Sequence, residues 1–213
     1  MSLITRDDVV AAIDRIGQVM AQRESELCEM DARMGDGDLG VTMRKGWQVA
    51  SEVARSTDEP DVGKLLVTCG MKLSSAVPST MGTLMASGLM TGGKAILGKT
   101  ELNISAFADF LQGFCDGIIK RGKCQPGDRT VLDSLWPAAQ EAKKYDHLNA
   151  HAMQGIRDAS DAGLERTKRM LPKYGKAAVF SNKALGVVDQ GAVVGNLIIH
   201  CFCDQILSKG ELT

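Results

Sequence analysis

The sequence predicts an all-α fold of eight helices, arranged as one domain over residues 1–213. Three observations predict it. Apolar residues recur at helical spacing through nearly the whole chain. Glycine and polar residues gather in short stretches between those runs, and strand signals are weak. With 213 residues, 44% of them apolar, the chain can bury one sizeable core.

The elements follow in order. Val9, Val10, Ile13, Ile16, Val19 and Met20 form one stripe, which opens near Thr5. A second helix runs from about Thr42 into the fifties. Asp61 begins a third, with Leu65, Leu66 and Met71 inward. Ser79 or Thr80 caps a fourth, which carries Met81, Leu84, Met85, Leu89 and Met90. Ser105 precedes a fifth, marked by Phe107, Phe110, Leu111, Phe114, Ile118 and Ile119. A sixth follows Pro126, Gly127 and Asp128; a seventh covers about 149–170; an eighth covers about 191–207. The eighth is apolar on most sides and is therefore a buried helix. Residues 177–180 are the only short strand candidate.

Composition narrows the function. A net charge of −1 supplies no field toward nucleic acid or an anionic membrane. The N-terminus lacks a basic segment followed by an apolar one, and no apolar run reaches a membrane span. The six cysteines form no CxxC pair and no zinc spacing, which fits reduced, mostly buried thiols in a cytoplasmic protein. His147 and His151, four apart, could share a helix face. Two histidines alone fall short of the ligand count a metal needs, so they read as a surface pair.

The chemistry concentrates in Asp31-Ala-Arg-Met-Gly-Asp-Gly-Asp-Leu-Gly40. Asp31, Asp36 and Asp38 fall within eight residues. Carboxylates that close repel unless a cation sits among them, and Mg²⁺ takes a few carboxylates plus phosphate oxygens. The run enters a helix, whose first N–H groups attract an anion. The competing reading is a solvated Asp-Gly-Asp turn. An EF-hand is ruled out by register, since the sixth position from Asp31 is Asp36 and the twelfth is Thr42. Three further loops gather glycine and polar residues, at 74–80, 121–130 and 173–191. In an up-and-down array every second connection lies at the same end, and these four loops have that parity.

Several motifs in order carry a resemblance. They are Met30 through Gly40, Gly70 through Ser75, Met81-Gly-Thr83, Arg121-Gly-Lys-Cys-Gln-Pro-Gly-Asp-Arg-Thr130 and Asp189-Gln-Gly-Ala192. The chain resembles the nucleotide-binding subunit of bacterial dihydroxyacetone kinases, also the second domain of single-chain dihydroxyacetone kinases. The resemblance implies an eight-helix antiparallel barrel holding ADP or ATP at one end through two Mg²⁺ ions. It places the metal and catalytic aspartates on Asp31, Asp36 and Asp38. It places nucleotide contacts on Leu39, Gly40, Val41 and Thr42, the paired Ser74 and Ser75, Ser79 and Thr80, Gly122, Val131, Lys176, and Asp189, Gln190 and Gly191. It also implies a partner subunit that carries the sugar on a histidine. A phosphocarrier protein as donor and a second copy of this chain are further partners on that reading.

Three positions depart from the pattern. Leu39 stands where relatives usually have histidine. The loop before Thr83 is shorter and contains Val77 and Pro78. Lys176 replaces an arginine common among relatives, which exchanges a planar fork for a point charge. Two functions compete: a phosphotransferase subunit acting on dihydroxyacetone or a related short ketose, and a nucleotide-sensing protein of the same fold without transfer. Lys176, Arg129 or Lys123 could add positive charge near the phosphates, but Lys123 and Arg129 taken singly read as solvated side chains, and Asp128 as a helix cap rather than a catalytic group. Ser74 and Ser75 serve equally well as helix terminators, and Met81, Met85 and Met90 as core.

Overall fold

Thr5 opens the first helix with a reciprocal cap. Its main-chain N–H donates to Asp8 Oδ2 at 2.7 Å, and the Asp8 N–H donates back to Thr5 Oγ1 at 3.3 Å. The structure, a computed structural model, describes residues 3–174, 178 and 184–209. Among them nine α-helices carry the fold: α1 (Arg6–Gln22), α2 (Glu24–Ala32), α3 (Leu39–Ser56), α4 (Val62–Ala76), α5 (Thr80–Ala95), α6 (Ile104–Gly122), α7 (Leu132–Ala142), α8 (Ala150–Arg166) and α9 (Gln190–Leu207). One 3₁₀ turn (Thr167–Arg169) follows α8. Two short strands, β1 (Ile4–Thr5) and β2 (Glu101–Leu102), pair antiparallel with Ile4 opposite Leu102.

The count is nine rather than eight because the first helical stretch breaks at Arg23, and α2 resumes from it. α2 buries only Leu27 and Asp31, so it has no apolar stripe for periodicity to find. Caps fall at Asp61 and Ser79 as expected. The fifth expected helix starts earlier, capped by Asn103, whose side chain accepts from the Ala106 N–H at 2.8 Å. His147 lies in the turn before α8, so it shares no helix face with His151. The strand candidate at 177–180 falls mostly outside the described residues.

Consecutive helices pack on one another from α3 through α9, and α1 packs on both α3 and α9. The packing order therefore closes on itself, with α2 lying against α3. One hydrophobic cluster runs from Ile4 to Ile206. Phe107 and Phe110 from α6 meet Phe202 from α9 with ring centroids 6.1 and 5.8 Å apart. Such aromatic pairs add roughly 0.5–1.5 kcal/mol each beyond their buried area. α9 buries residues on all its faces, as its sequence requires. The six cysteines are free and five of them are buried. No described helix is long and apolar enough to cross a membrane.

Candidate functional site

The α2–α3, α4–α5, α6–α7 and α8–α9 connections all line one cavity of about 660 Å³. These are the four polar loops, brought together.

The α2–α3 connection supplies the acid. Asp31 is buried at the end of α2, and Asp36 and Asp38 are exposed in the turn that follows. One carboxylate oxygen from each lies within 4.8 Å of the other two. Gly37 makes the turn possible: its φ is +77°, a left-handed conformation that costs glycine little. The N–H groups of Gly37 and Asp38 donate to Asp31 Oδ2 at 2.9 and 3.2 Å. Asp31 Oδ1 accepts from Gln190 Nε2 at 3.3 Å. The other amide atom, Gln190 Oε1, is buried with no hydrogen-bond partner among the described residues.

Asp38 precedes α3 without capping it through its side chain. The first turn of a helix carries main-chain N–H groups without partners inside the helix, and at α3 the Asp38 side chain takes none of them. Leu39 and Thr42 line the cavity; Gly40 and Val41 do not. Gly40 packs against α2, where a Cβ would overlap the Glu24 carbonyl.

On the α4–α5 side, Ser79 and Thr80 line the cavity and Ser79 Oγ accepts from the Gly82 N–H at 3.0 Å. Ser74 and Ser75 do not line it. α4 continues to Ala76, so both serines stay within its last turn, and Ser75 Oγ donates back to the Met71 carbonyl at 3.2 Å. The methionine stripe divides. Met85 is core, whereas Met81 and its neighbour Leu84 form an apolar wall of the cavity.

The α6–α7 connection contributes Gly122, Cys124, Arg129, Thr130 and Val131. Arg129 is not solvated: it is 2% exposed, because its guanidinium is turned inward onto main-chain carbonyls. Asp128 is not a helix cap either. Its Oδ2 accepts from the Gln125 N–H at 2.7 Å and its Oδ1 from Lys173 Nζ at 2.6 Å, so it closes the turn before α7. Asp133 does the neighbouring work, accepting from Gly127 and Thr130.

Tyr174, Asp189, Gln190 and Gly191 complete the lining. Asp189 caps α9 through the Ala192 N–H at 2.9 Å. Burial pushes its carboxyl up to about 6, against the opposing pull of that N–H and of Arg129. Lys176 lies outside the described residues. None of His147, His151 and His200 lines the cavity.

The family model described as the DAK2 domain matches residues 33–204. The chain belongs to the DAK2 domain family. It is 24% identical over 192 residues to the ADP-binding subunit DhaL of the PEP-dependent dihydroxyacetone kinase of Escherichia coli, covering 89% of this chain and 91% of that one. It is 29% identical to the corresponding subunit of a second such kinase in Listeria innocua, with 90% of each covered. It is 30% identical to a D-erythrulose kinase of Mycolicibacterium smegmatis, covering 95% of this chain and 36% of the relative. The chain thus spans nearly all of the stand-alone subunits and about a third of a single-chain kinase. The crystal structure of the dihydroxyacetone kinase of C. freundii in its native form matches with a TM-score of 0.69 at 22% identity, over 92% of this chain and 34% of that one. That likeness shows the all-α fold.

The DAK2 domain seen here uses lining residues that sequence reasoning does not single out, notably Met34, Cys124, Thr130 and Tyr174. Met34, Cys124 and Thr130 lie inside the motif stretches and Tyr174 outside them, and nothing in their type distinguishes a cavity wall from a loop surface.

Proposed function

We propose that this chain is the nucleotide-binding half of a dihydroxyacetone kinase-type phosphotransferase. The observation that carries the proposal is the gathering of Asp31, Asp36 and Asp38 at a cavity built by four loops. The donor set fits Mg²⁺: three hard carboxylate oxygens, close enough that their mutual repulsion favours a divalent cation among them. Two such ions are the working number. When bound, they neutralise phosphate charge and orient the transferred group.

The chain's own residues do the rest. Gly37 and Asp38 N–H groups fix Asp31, so its carboxylate is held without a search over rotamers. The start of α3, where Leu39 and Thr42 line the cavity, receives a phosphate. Ser79 and Thr80, at the start of α5, and Gly191, at the start of α9, stand on neighbouring walls. Met81, Leu84 and Val131 offer the apolar surface a base requires. The ketose is held by a separate sugar-binding subunit in the cytoplasm, a reading supported by relatives that are themselves subunits of dihydroxyacetone kinases. The named relatives support this reading: two are ADP-binding subunits of PEP-dependent dihydroxyacetone kinases. The solved C. freundii kinase with AMP-PNP and Mg²⁺ shares the fold at a TM-score of 0.67.

Calorimetry with ADP tests the site. Binding requires Mg²⁺, and Asp36→Asn weakens it by about tenfold or more, equivalent to ~1.4 kcal/mol. Equal affinity with and without Mg²⁺ contradicts the proposal. A coupled assay with a sugar-binding subunit, ATP or a phosphocarrier donor, and dihydroxyacetone or erythrulose then separates transfer from nucleotide sensing. Tight ADP binding with no ketose phosphate formed in the full mixture favours the sensor.

A further inference from the structure

Arg129 occupies a position that an ordinary loop residue would not hold. Its φ is +62°, in the left-handed region that residues with a Cβ seldom enter, and its side chain is fully buried. Its Nε donates to the Thr167 carbonyl at 3.2 Å. Its Nη2 donates to the Ala184 and Val187 carbonyls at 3.2 and 3.0 Å. Its Nη1 stands 3.5 Å from Asp189 Oδ1. All four partners belong to the connection between α8 and α9: Thr167 where it departs, the other three where it returns. Asp128 grips the same connection. Its carbonyl accepts from the Lys173 N–H at 3.3 Å and its carboxylate from the Lys173 ammonium at 2.6 Å.

We propose that Arg129 is a positioning residue that ties both ends of the α8–α9 connection to the α6–α7 turn, and so sets where Asp189, Gln190 and Gly191 stand against Asp31. A planar guanidinium presents five N–H donors in a fixed fork and can hold three carbonyls from two stretches of chain at once. A lysine ammonium, a point charge on a flexible stem, does not reproduce that span. Thr167 stands in the 3₁₀ turn after α8, and Ala184 and Val187 stand outside any helix, where main-chain groups must find partners beyond a helix ladder. From Val187 the path to the acidic turn is short. Asp189 caps α9, and Gln190, next in the chain, donates to Asp31 Oδ1.

Arg129→Lys keeps the charge and removes the fork. In the ligand-free protein, hydrogen exchange at 167–174 and 184–190 should rise by about tenfold or more while α4, α5 and α6 exchange as in the wild type. Mg²⁺-ADP affinity should fall by about tenfold. The affinity measurement rests on the nucleotide-binding proposal; the exchange measurement does not. A wild-type chain that ignores Mg²⁺-ADP therefore sinks that proposal and leaves the exchange result to decide this one. Arg129→Gly serves as a second variant, because glycine accepts the left-handed backbone and leaves room for a free guanidinium ion. Millimolar guanidinium should return protection to 184–190 in Arg129→Gly and leave Arg129→Lys unchanged. Unaltered exchange in both variants overturns the proposal. So does a loss of protection spread evenly over all helices, which marks a general core residue. Lost affinity with intact exchange in the free protein overturns it too, since that marks a direct ligand contact.

Discussion

The α2–α3 and α6–α7 connections are both short, both carry aspartates in or beside them, and both line the cavity, but they employ those carboxylates differently. Asp128 in the α6–α7 connection and Asp133 in the first turn of α7 are buried, and neither reaches the cavity. Both oxygens of Asp133 accept main-chain N–H groups, from Gly127 at 2.6 Å and Thr130 at 2.7 Å. Both oxygens of Asp128 are likewise engaged, by Gln125 and Lys173. In α2–α3, Asp31, Asp36 and Asp38 all line the cavity, and Asp36 and Asp38 are exposed. One connection uses its aspartates to shape itself. The other presents all three to the cavity, and Asp31 also accepts main-chain N–H groups of its own turn, from Gly37 and Asp38. Residue type does not separate these roles; the direction in which the finished turn points each carboxylate does.

The largest stability effect therefore belongs to the inward-facing aspartates. Asp133→Ala leaves the Gly127 and Thr130 N–H groups without an acceptor. A hydrogen bond to a charged acceptor is worth roughly 1.5–3 kcal/mol net, and with water reaching the exposed Gly127 the two together cost about 3 kcal/mol. Asp133→Asn, which keeps one acceptor oxygen, should lose about half as much. Urea denaturation of the ligand-free protein reads both. An alanine variant within about 0.5 kcal/mol of the wild type would show that water replaces the carboxylate, and the contrast between the two connections would fail.

A pH dependence should come next in size. Asp189 sits behind the α6–α7 turn, and burial raises its carboxyl to about 6. An unfolded aspartate titrates near ~3.9. The folded state holds this proton more tightly, so the contribution is complete below about pH 4 and is lost as pH rises through 6. The gap between the folded and unfolded values limits it to about 3 kcal/mol. Asp189→Asn keeps an N-cap acceptor and cannot titrate. The stability of the wild type relative to that variant should fall between pH 4 and 7. A flat difference across that range would mean that Arg129 pairs with the carboxylate strongly enough to cancel burial.

The same contrast explains what is legible in the sequence. The all-α class is legible because the core helices carry apolar stripes, and α9 its apolar envelope. The acidic cluster is legible because three carboxylates in eight residues are hard to reconcile without a cation. α2 is not, since nine residues that bury only Leu27 and Asp31 carry no period. β1 and β2 are not, at two residues each. Arg129 and Asp128 are misread from sequence for another reason. Their roles depend on Thr167, Lys173, Ala184 and Val187, which are distant in sequence and meet them only once α8 and α9 have packed. Gly40, Val41, Ser74 and Ser75 stand beside cavity residues in the sequence and off the cavity in space, because a helix turns neighbours to different faces.

The smallest stability effect in the absence of ligand belongs to the outward-facing aspartates, and its sign should reverse on binding. Asp38→Asn removes one of three like charges gathered within 4.8 Å, on an exposed residue that does not cap its helix. Repulsion between solvated charges at such distances is worth tenths of a kcal/mol once salt screens it. The ligand-free variant should therefore equal the wild type or exceed it, by no more than about 0.5 kcal/mol. Mg²⁺-ADP changes the order. At a hundredfold excess over Kd the wild type gains about 2.7 kcal/mol. A variant binding tenfold more weakly gains about 1.4 kcal/mol from the same solution, by the same relation. The wild type should then lead by about 1 kcal/mol, and the two melting curves should exchange places when Mg²⁺-ADP is added. Mg²⁺ alone should move them less, because phosphate oxygens complete its shell. If Asp38→Asn melts at or above the wild type in every condition, the three carboxylates do not hold a cation against the nucleotide. The α2–α3 connection would then be a solvated acidic turn, different from α6–α7 only in facing water.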